Sequence, residues 1–174
     1  MKIMTRRVIL AHYSDAYEMA IMSRDYIEYG LGWSWTPGRI VKHIRDQDNV
    51  VIKFLRNNQM LGFAVMHFDM DLAHLNLLAV KPEFRKQGIG RELMNWLHVS
   101  AVTAGIETIL LEVRSSNRIA RSFYNRLGYK GFQTISGYYG GKETAVRMRK
   151  TLIKQSIRNN MPNIIFPWEK WQGS

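Results

Sequence analysis

The chain has 174 residues, no cysteine, and 25 Lys+Arg against 14 Asp+Glu, for a formal net charge of +11. This length fits one domain with a real hydrophobic core. The missing cysteine excludes disulfides, a thiol nucleophile and every cysteine-based zinc or iron–sulfur site.

Taken in chain order, Arg6 to Tyr13 is β-branched and aromatic and reads as a first strand. The apolar run within it, Val8 to Ala11, is too short for a signal-peptide core. Ser14-Asp15 caps a helix predicted from Ala16 to Tyr29, broken by Gly30 and Gly32. Thr36-Pro37 is an N-cap with proline at the first helical position, and a short helix through Ile40, Val41 and Ile44 follows. Val50 to Arg56 and Met60 to Asp69 read as strands around the Asn57-Asn58 turn. Ala73 to Val80 is a third strand, apolar enough for a centre buried on both faces.

After a charged, glycine-containing loop, Gly90 to Ala104 is an amphipathic helix stopped by Gly105. Thr108 to Val113 is a strand, Asn117 to Leu127 a helix stopped by Gly128, and Gly131 to Tyr138 and Thr144 to Met148 are closing strands. The order βααβββαβαββ predicts an α/β (α+β) fold: a mixed central sheet with helices on both faces. Residues 1–150 read as one domain. Residues 151–174 form a basic and aromatic extension whose Ile164, Ile165, Phe166, Trp168 and Trp171 predict docking on the domain or on a partner.

No apolar run approaches the roughly eighteen residues of a membrane span. The expectation is a soluble, cytoplasmic protein with no membrane partner. The positive charge points to an acidic partner. Scattered basic residues argue against a nucleic-acid-binding arm. The histidines form no HExxH or other ligand spacing, so no metal site is expected, and no GxSxG elbow is present.

Arg85-Lys86-Gln87-Gly88-Ile89-Gly90-Arg91 joins a buried strand to a helix. The first amides of a helix lack internal partners and, with the helix dipole, bind phosphate. Gly88 and Gly90 permit close backbone approach, and Arg85, Lys86 and Arg91 supply charge. No Gly-Lys-Ser/Thr follows, so this is no Walker motif; nor is it the dinucleotide fingerprint, which needs a third glycine. A solvated basic turn would read the same way.

Leu78-Ala79-Val80 followed by Arg85-x-x-Gly88-x-Gly90 resembles the acetyl-CoA signature of the GNAT superfamily of N-acetyltransferases. The element order is also the order of that fold. The likeness continues through Glu112-Val113-Arg114-Ser115-Ser116-Asn117-x-x-Ala120 and Phe123-Tyr124-x-x-Leu127-Gly128-Tyr129. This spelling resembles the RimI-like branch, which acetylates protein N-terminal amines and includes the ribosomal-protein alanine acetyltransferases. Two departures from the ribosomal enzymes stand out: Ser136-Gly137 in place of an arginine pair before Tyr138, and Glu143-Thr144 in place of a Glu-Asp pair.

The resemblance implies acetyl-CoA as co-substrate. It places the backbone of Leu78 and Val80 along the pantetheine arm. The amides from Lys86 through Gln87, Gly88, Ile89 and Gly90 to Arg91 then take the pyrophosphate. Asn117 contacts the arm or caps its helix. Glu112 is implied as general base, which would need burial to raise its pKa, or is a strand-end carboxylate paired with Arg114 or another cation. Tyr124 is implied as general acid, or is a half-buried core aromatic. Tyr138 and Tyr139 shape the amine site or are exposed at a strand end. Trp33 and Trp35 line the acceptor wall or cover the core. The acceptor is expected to be a protein N-terminal amine. A small amine such as a polyamine, amino acid or aminoglycoside is the alternative, and a CoA- or nucleic-acid-binding module without turnover comes third. A tail docked on a neighbouring subunit would suit a homodimer.

Overall fold

The computed structural model describes residues 5–152. The extension expected from residue 151 onward lies almost wholly outside them. The domain itself runs slightly past residue 150, since the last strand ends at Thr151 and the Leu152 side chain is buried.

The elements are β1 (Arg6–Leu10), α1 (Ala16–Tyr26), α2 (Pro37–Arg45), β2 (Asn49–Arg56), β3 (Gln59–Asp69), β4 (Leu72–Val80), α3 (Ile89–Thr103), β5 (Thr108–Arg114), α4 (Arg118–Arg126), β6 (Lys130–Tyr139) and β7 (Glu143–Thr151). They build one seven-stranded sheet in the order β1-β2-β3-β4-β5-β7-β6. All neighbours are antiparallel except β4 and β5. The mixed α/β architecture and the element order are those the sequence predicts.

Two boundaries move for local reasons. β1 ends at Leu10 because His12 donates its backbone N–H to the Asp15 carboxylate at 2.7 Å, turning the chain into a short 3-10 segment. α1 ends at Tyr26 because the Glu28 carboxylate, 7% exposed, gathers the following loop. It accepts the backbone N–H of Ser34 at 2.8 Å and that of Trp35 at 3.1 Å.

The sheet has two cores. One packs α3 and Tyr124 of α4 against strand residues including Phe54, Leu75, Ile109, Leu111 and Met148. The other packs α1, α2 and Trp35 against residues of β1 to β4 and none of β5, β6 or β7. Helices therefore lie on both faces, but the second layer stops at β4.

β4 carries the irregularity that positions the site. Val65 of β3 pairs with Leu77 and Met66 with Leu75, so Asn76 is an extra residue in β4. A bulge bends its strand. The parallel pairing of β4 with β5 runs from Leu72 opposite Thr108 to Leu75 opposite Leu111 and stops there. Past the bulge the two strands part.

Candidate active site

The parting of β4 and β5 opens a cleft of about 300 Å³. Its β4 wall is Leu75 to Leu78, and its β5 wall is Leu111 to Arg114. Asn117, Ala120 and Tyr124 close it from α4, and Tyr26, Ile27, Tyr29 and Tyr139 from the two loop regions. The sequence-predicted Leu78, Glu112, Asn117, Tyr124 and Tyr139 thus come together in one place. A crevice at the carboxyl end of a parallel strand pair is where α/β sheets hold ligands.

Glu112 is the most heavily engaged of these. Its side chain is 5% exposed. Oε1 accepts from Arg147 Nε at 2.6 Å, and Oε2 faces His74 Nε2 at 2.6 Å. Burial pushes the carboxyl up, but the hydrogen bonds from His74 and Arg147 outweigh it and hold the group below its ordinary range. The raised pKa that a base role would need is absent, and the alternative of a strand-end carboxylate paired with a cation is what the structure shows. The pairing cations are not Arg114. The same bond, aided by Asn76, raises His74 above the usual histidine value against the opposing effect of burial.

Arg114 instead ties loops together. It donates to Glu143 Oε1 at 2.6 Å and to the backbone carbonyls of Ile27 and Tyr29 at 2.7 and 2.8 Å. One guanidinium therefore joins β5, the α1–α2 loop and the β6–β7 turn.

Tyr124 is buried, and burial with the neighbouring Tyr139 pushes its phenol well above the usual tyrosine value. It is a proton donor throughout the physiological range. Tyr139, raised mainly by burial, lies under the Arg114 guanidinium. Tyr138 is 43% exposed, and burial together with the nearby Glu112 carboxylate raises its phenol above the usual tyrosine value. Asn117 caps α4: its Oδ1 accepts from the Ala120 N–H at 3.0 Å, which leaves the amide nitrogen for another partner.

The glycine loop has the geometry expected of a phosphate cradle. Gly88 is the N-cap of α3 at φ +85°, and Lys86 also lies in the left-handed region at φ +60°. The first helical bond is Glu92 N–H to Gly88 O, so the amides before it stand outside the helical ladder. A Cβ on Gly90 would come 3.3 Å from the Phe123 ring. Arg6 holds the Gln87 carbonyl at 3.2 Å and Arg56 holds its Oε1 at 2.9 Å. Arg85 turns back to the Val80 carbonyl at 3.1 Å, so that oxygen is already engaged. The splayed strands and this loop together fit a pantetheine arm with a pyrophosphate at its end.

The tryptophans are placed differently. Trp35 is buried in the second core, and Trp33 lies under Arg24 with its Nε1 donating to the Trp35 carbonyl at 3.1 Å. Neither lines the cleft. The loop reaches it through Tyr26, Ile27 and Tyr29. Sequence reading passed over His74 and Arg147, and took Arg114 only as a possible partner of Glu112. Arg147 sits opposite Glu112 in the β5–β7 register, which a pairing of those two strands could have revealed. The His74 contact depends on the splay and has no local signal.

Among the described residues no group of acidic residues and histidines is arranged to hold a metal, and no helix is long and apolar enough to cross a membrane.

Residues 9–129 match the Acetyltransferase (GNAT) family. The chain belongs to that family. A Haemophilus influenzae relative named ribosomal protein bS18-alanine N-acetyltransferase is 33% identical over 118 residues, 66% of this chain and 80% of that protein. The Escherichia coli K12 protein of the same name is 35% identical over 96 residues, 53% of this chain and 65% of that one. In fold, the crystal structure of the Escherichia coli ribosomal-protein-S18-alanine N-acetyltransferase superposes with a TM-score of 0.76 at 23% identity, covering 91% of this chain and all of that one. An acetyltransferase from Thermoplasma acidophilum in complex with coenzyme A superposes with a TM-score of 0.73 at 21% identity, covering 85% and 99%. As a GNAT enzyme, this chain is an acetyl-CoA-dependent N-acetyltransferase of the RimI-like kind.

Proposed function

We propose that this acetyltransferase modifies the N-terminal amine of a protein or peptide. One observation carries the reading: both carboxylates at the cleft mouth are already neutralised. Glu112 is held by Arg147 and His74, and Glu143 by Arg114. A polyamine or aminoglycoside acceptor would need free carboxylates there. The relatives whose names specify a protein alanine N-terminus support the same class.

The placement of Glu112 and Tyr124 in the cleft supports a direct transfer. The amine nitrogen attacks the thioester carbonyl carbon, a C–N bond forms, and the C–S bond breaks. The Glu112 carboxylate takes the proton lost by the amine, through a water that passes it on to solvent, while the protonated His74 and Arg147 hold the carboxylate in place. The Tyr124 phenol gives its proton to the departing thiolate. Holding both reactants in the β4–β5 gap supplies the orientation. With no cysteine in the chain, the acetyl group passes directly to the amine.

The test is acetyl-CoA consumption against a peptide library with varied first residues, run beside a panel of polyamines, amino acids and aminoglycosides. Turnover confined to the small amines overturns the peptide reading. No turnover on either panel favours a binding module.

A further inference from the structure

Beyond the cleft, the sheet presents a basic strip with no helix over it among the described residues. The core beneath α1 and α2 takes residues from β2, β3 and β4 and none from β5, β6 or β7. On β7, Met148 packs into the opposite core, under α3 and α4. Successive residues of a strand point to opposite faces, so Arg147 and Arg149 share with Glu112 the face that no described helix covers.

The charges on this face do not cancel. Arg147 spends Nε on Glu112 and one terminal nitrogen on Gln133 Oε1 at 3.1 Å, with a third of its side chain exposed. Arg149 is exposed. Its guanidinium lies 5.0 Å from the Phe132 ring centroid, and it makes no ion pair among the described residues. Lys130 stands opposite it on β6, which is exposed along most of its length. The acids at the near end, Glu112 and Glu143, are both paired. Glu28, the other carboxylate close by, is turned into its own loop.

Resting on the peptide reading above, we propose that the acceptor chain crosses this strip and that the enzyme selects amines followed closely by Asp or Glu. The dimensions agree. Arg147 and Arg149 are two strand residues apart, about 7 Å. An extended peptide advances about 3.3–3.6 Å per residue. With its amine at Glu112, its second to fourth residues reach the two arginines. Exposed arginines offer planar, two-pronged donors that match carboxylates.

The experiment compares three hexapeptides that share an N-terminal alanine and carry Glu, Gln or Lys at positions two to four. Binding to the full chain with coenzyme A is measured by calorimetry, and kcat/KM with acetyl-CoA. The acidic peptide is expected to exceed the glutamine peptide by about tenfold and the lysine peptide by more, with the margin shrinking as salt rises. Arg149→Glu should bring the acidic peptide down to the level of the glutamine peptide and leave the latter unchanged. Equal or better binding of the lysine peptide, no peptide binding, or a selection untouched by Arg149→Glu overturns the proposal. So does binding of a single-stranded oligonucleotide that Arg149→Glu abolishes while the peptides show no charge preference. Acidic selection in binding without acetylation of any peptide sinks the peptide-acetyltransferase reading alone. Acetylation without charge selection sinks this one alone.

Discussion

His74 Nε2 and Glu112 Oε2 lie 2.6 Å apart, although 38 residues separate them in the chain. The bulge at Asn76 ends the β4–β5 pairing, and this contact joins the strands where the backbone ladder stops. His74 Nδ1 faces Asn76 Oδ1 at 2.7 Å. An imidazole placed between two oxygen acceptors is best satisfied as the imidazolium, with a proton on each nitrogen.

The pair should therefore stabilise the fold in a defined pH window. His74 is raised in the folded state, so its contribution is full below about pH 6.5 and is lost as pH rises through the higher folded value. Glu112 is lowered, so its contribution is present above about pH 4.3 and is lost as pH falls through the lower folded value. Urea unfolding of the wild type and of His74→Gln should differ most between those limits and converge in alkali. A difference that grows in alkali contradicts the assignment.

Glu112→Gln should reduce kcat/KM most near neutral pH, with partial recovery as rising pH supplies free amine. It also leaves Arg147 facing a neutral amide, so a stability loss of roughly 1–3 kcal/mol is expected, reduced from the fully buried case by partial exposure of the cations. A constant ratio to wild type across the pH range removes the base role.

Tyr124→Phe deletes one oxygen from a buried ring packed edge-on against Phe123 and Tyr129. Its kcat should fall roughly tenfold to a thousandfold, with acetyl-CoA binding largely kept. Wild-type turnover in this variant removes the acid role.

Much of this site was legible because its determinants are local. The glycine loop, the helix caps at Thr36 and Asn117, and the positions of Glu112 and Tyr124 all follow from short spacings. What was not legible depends on long-range geometry. For Glu112 the sequence leaves open both a base with a raised pKa and a paired carboxylate, because nothing near it in sequence reveals that Arg147 lies across the strand pair and His74 across the splay. Trp35 reads as either wall or core until Glu28 folds its loop inward and buries the indole. The charge excess gains two locations, the phosphate loop and the Arg147–Arg149 strip.

Gly88→Ala tests the cradle. At φ +85° an alanine is strained by roughly 1–2 kcal/mol, while its Cβ would have space, meeting nothing closer than 4.0 Å. The cost should appear in coenzyme A affinity, measured by calorimetry, as the loop relaxes and its amides diverge. Unchanged affinity together with a lowered Tm would make Gly88 a helix cap without a role in binding.

Arg114 offers the clearest separation of acceptor binding from chemistry. Its guanidinium serves Glu143 and two backbone carbonyls at once, and lysine cannot reproduce that fork. Those partners belong to the two loop regions that bring Ile27, Tyr29 and Tyr139 to the cleft, whereas the glycine loop makes no contact with it among the hydrogen bonds described. Arg114→Lys should raise KM for the peptide acceptor by about tenfold and leave KM for acetyl-CoA within twofold. Arg114→Ala should do the same more strongly and lower Tm, since the Ile27 and Tyr29 carbonyls lose their donor. Steady-state kinetics with each substrate varied in turn decides it. An equal rise in both constants would mean that Arg114 supports the whole cleft and not the acceptor wall.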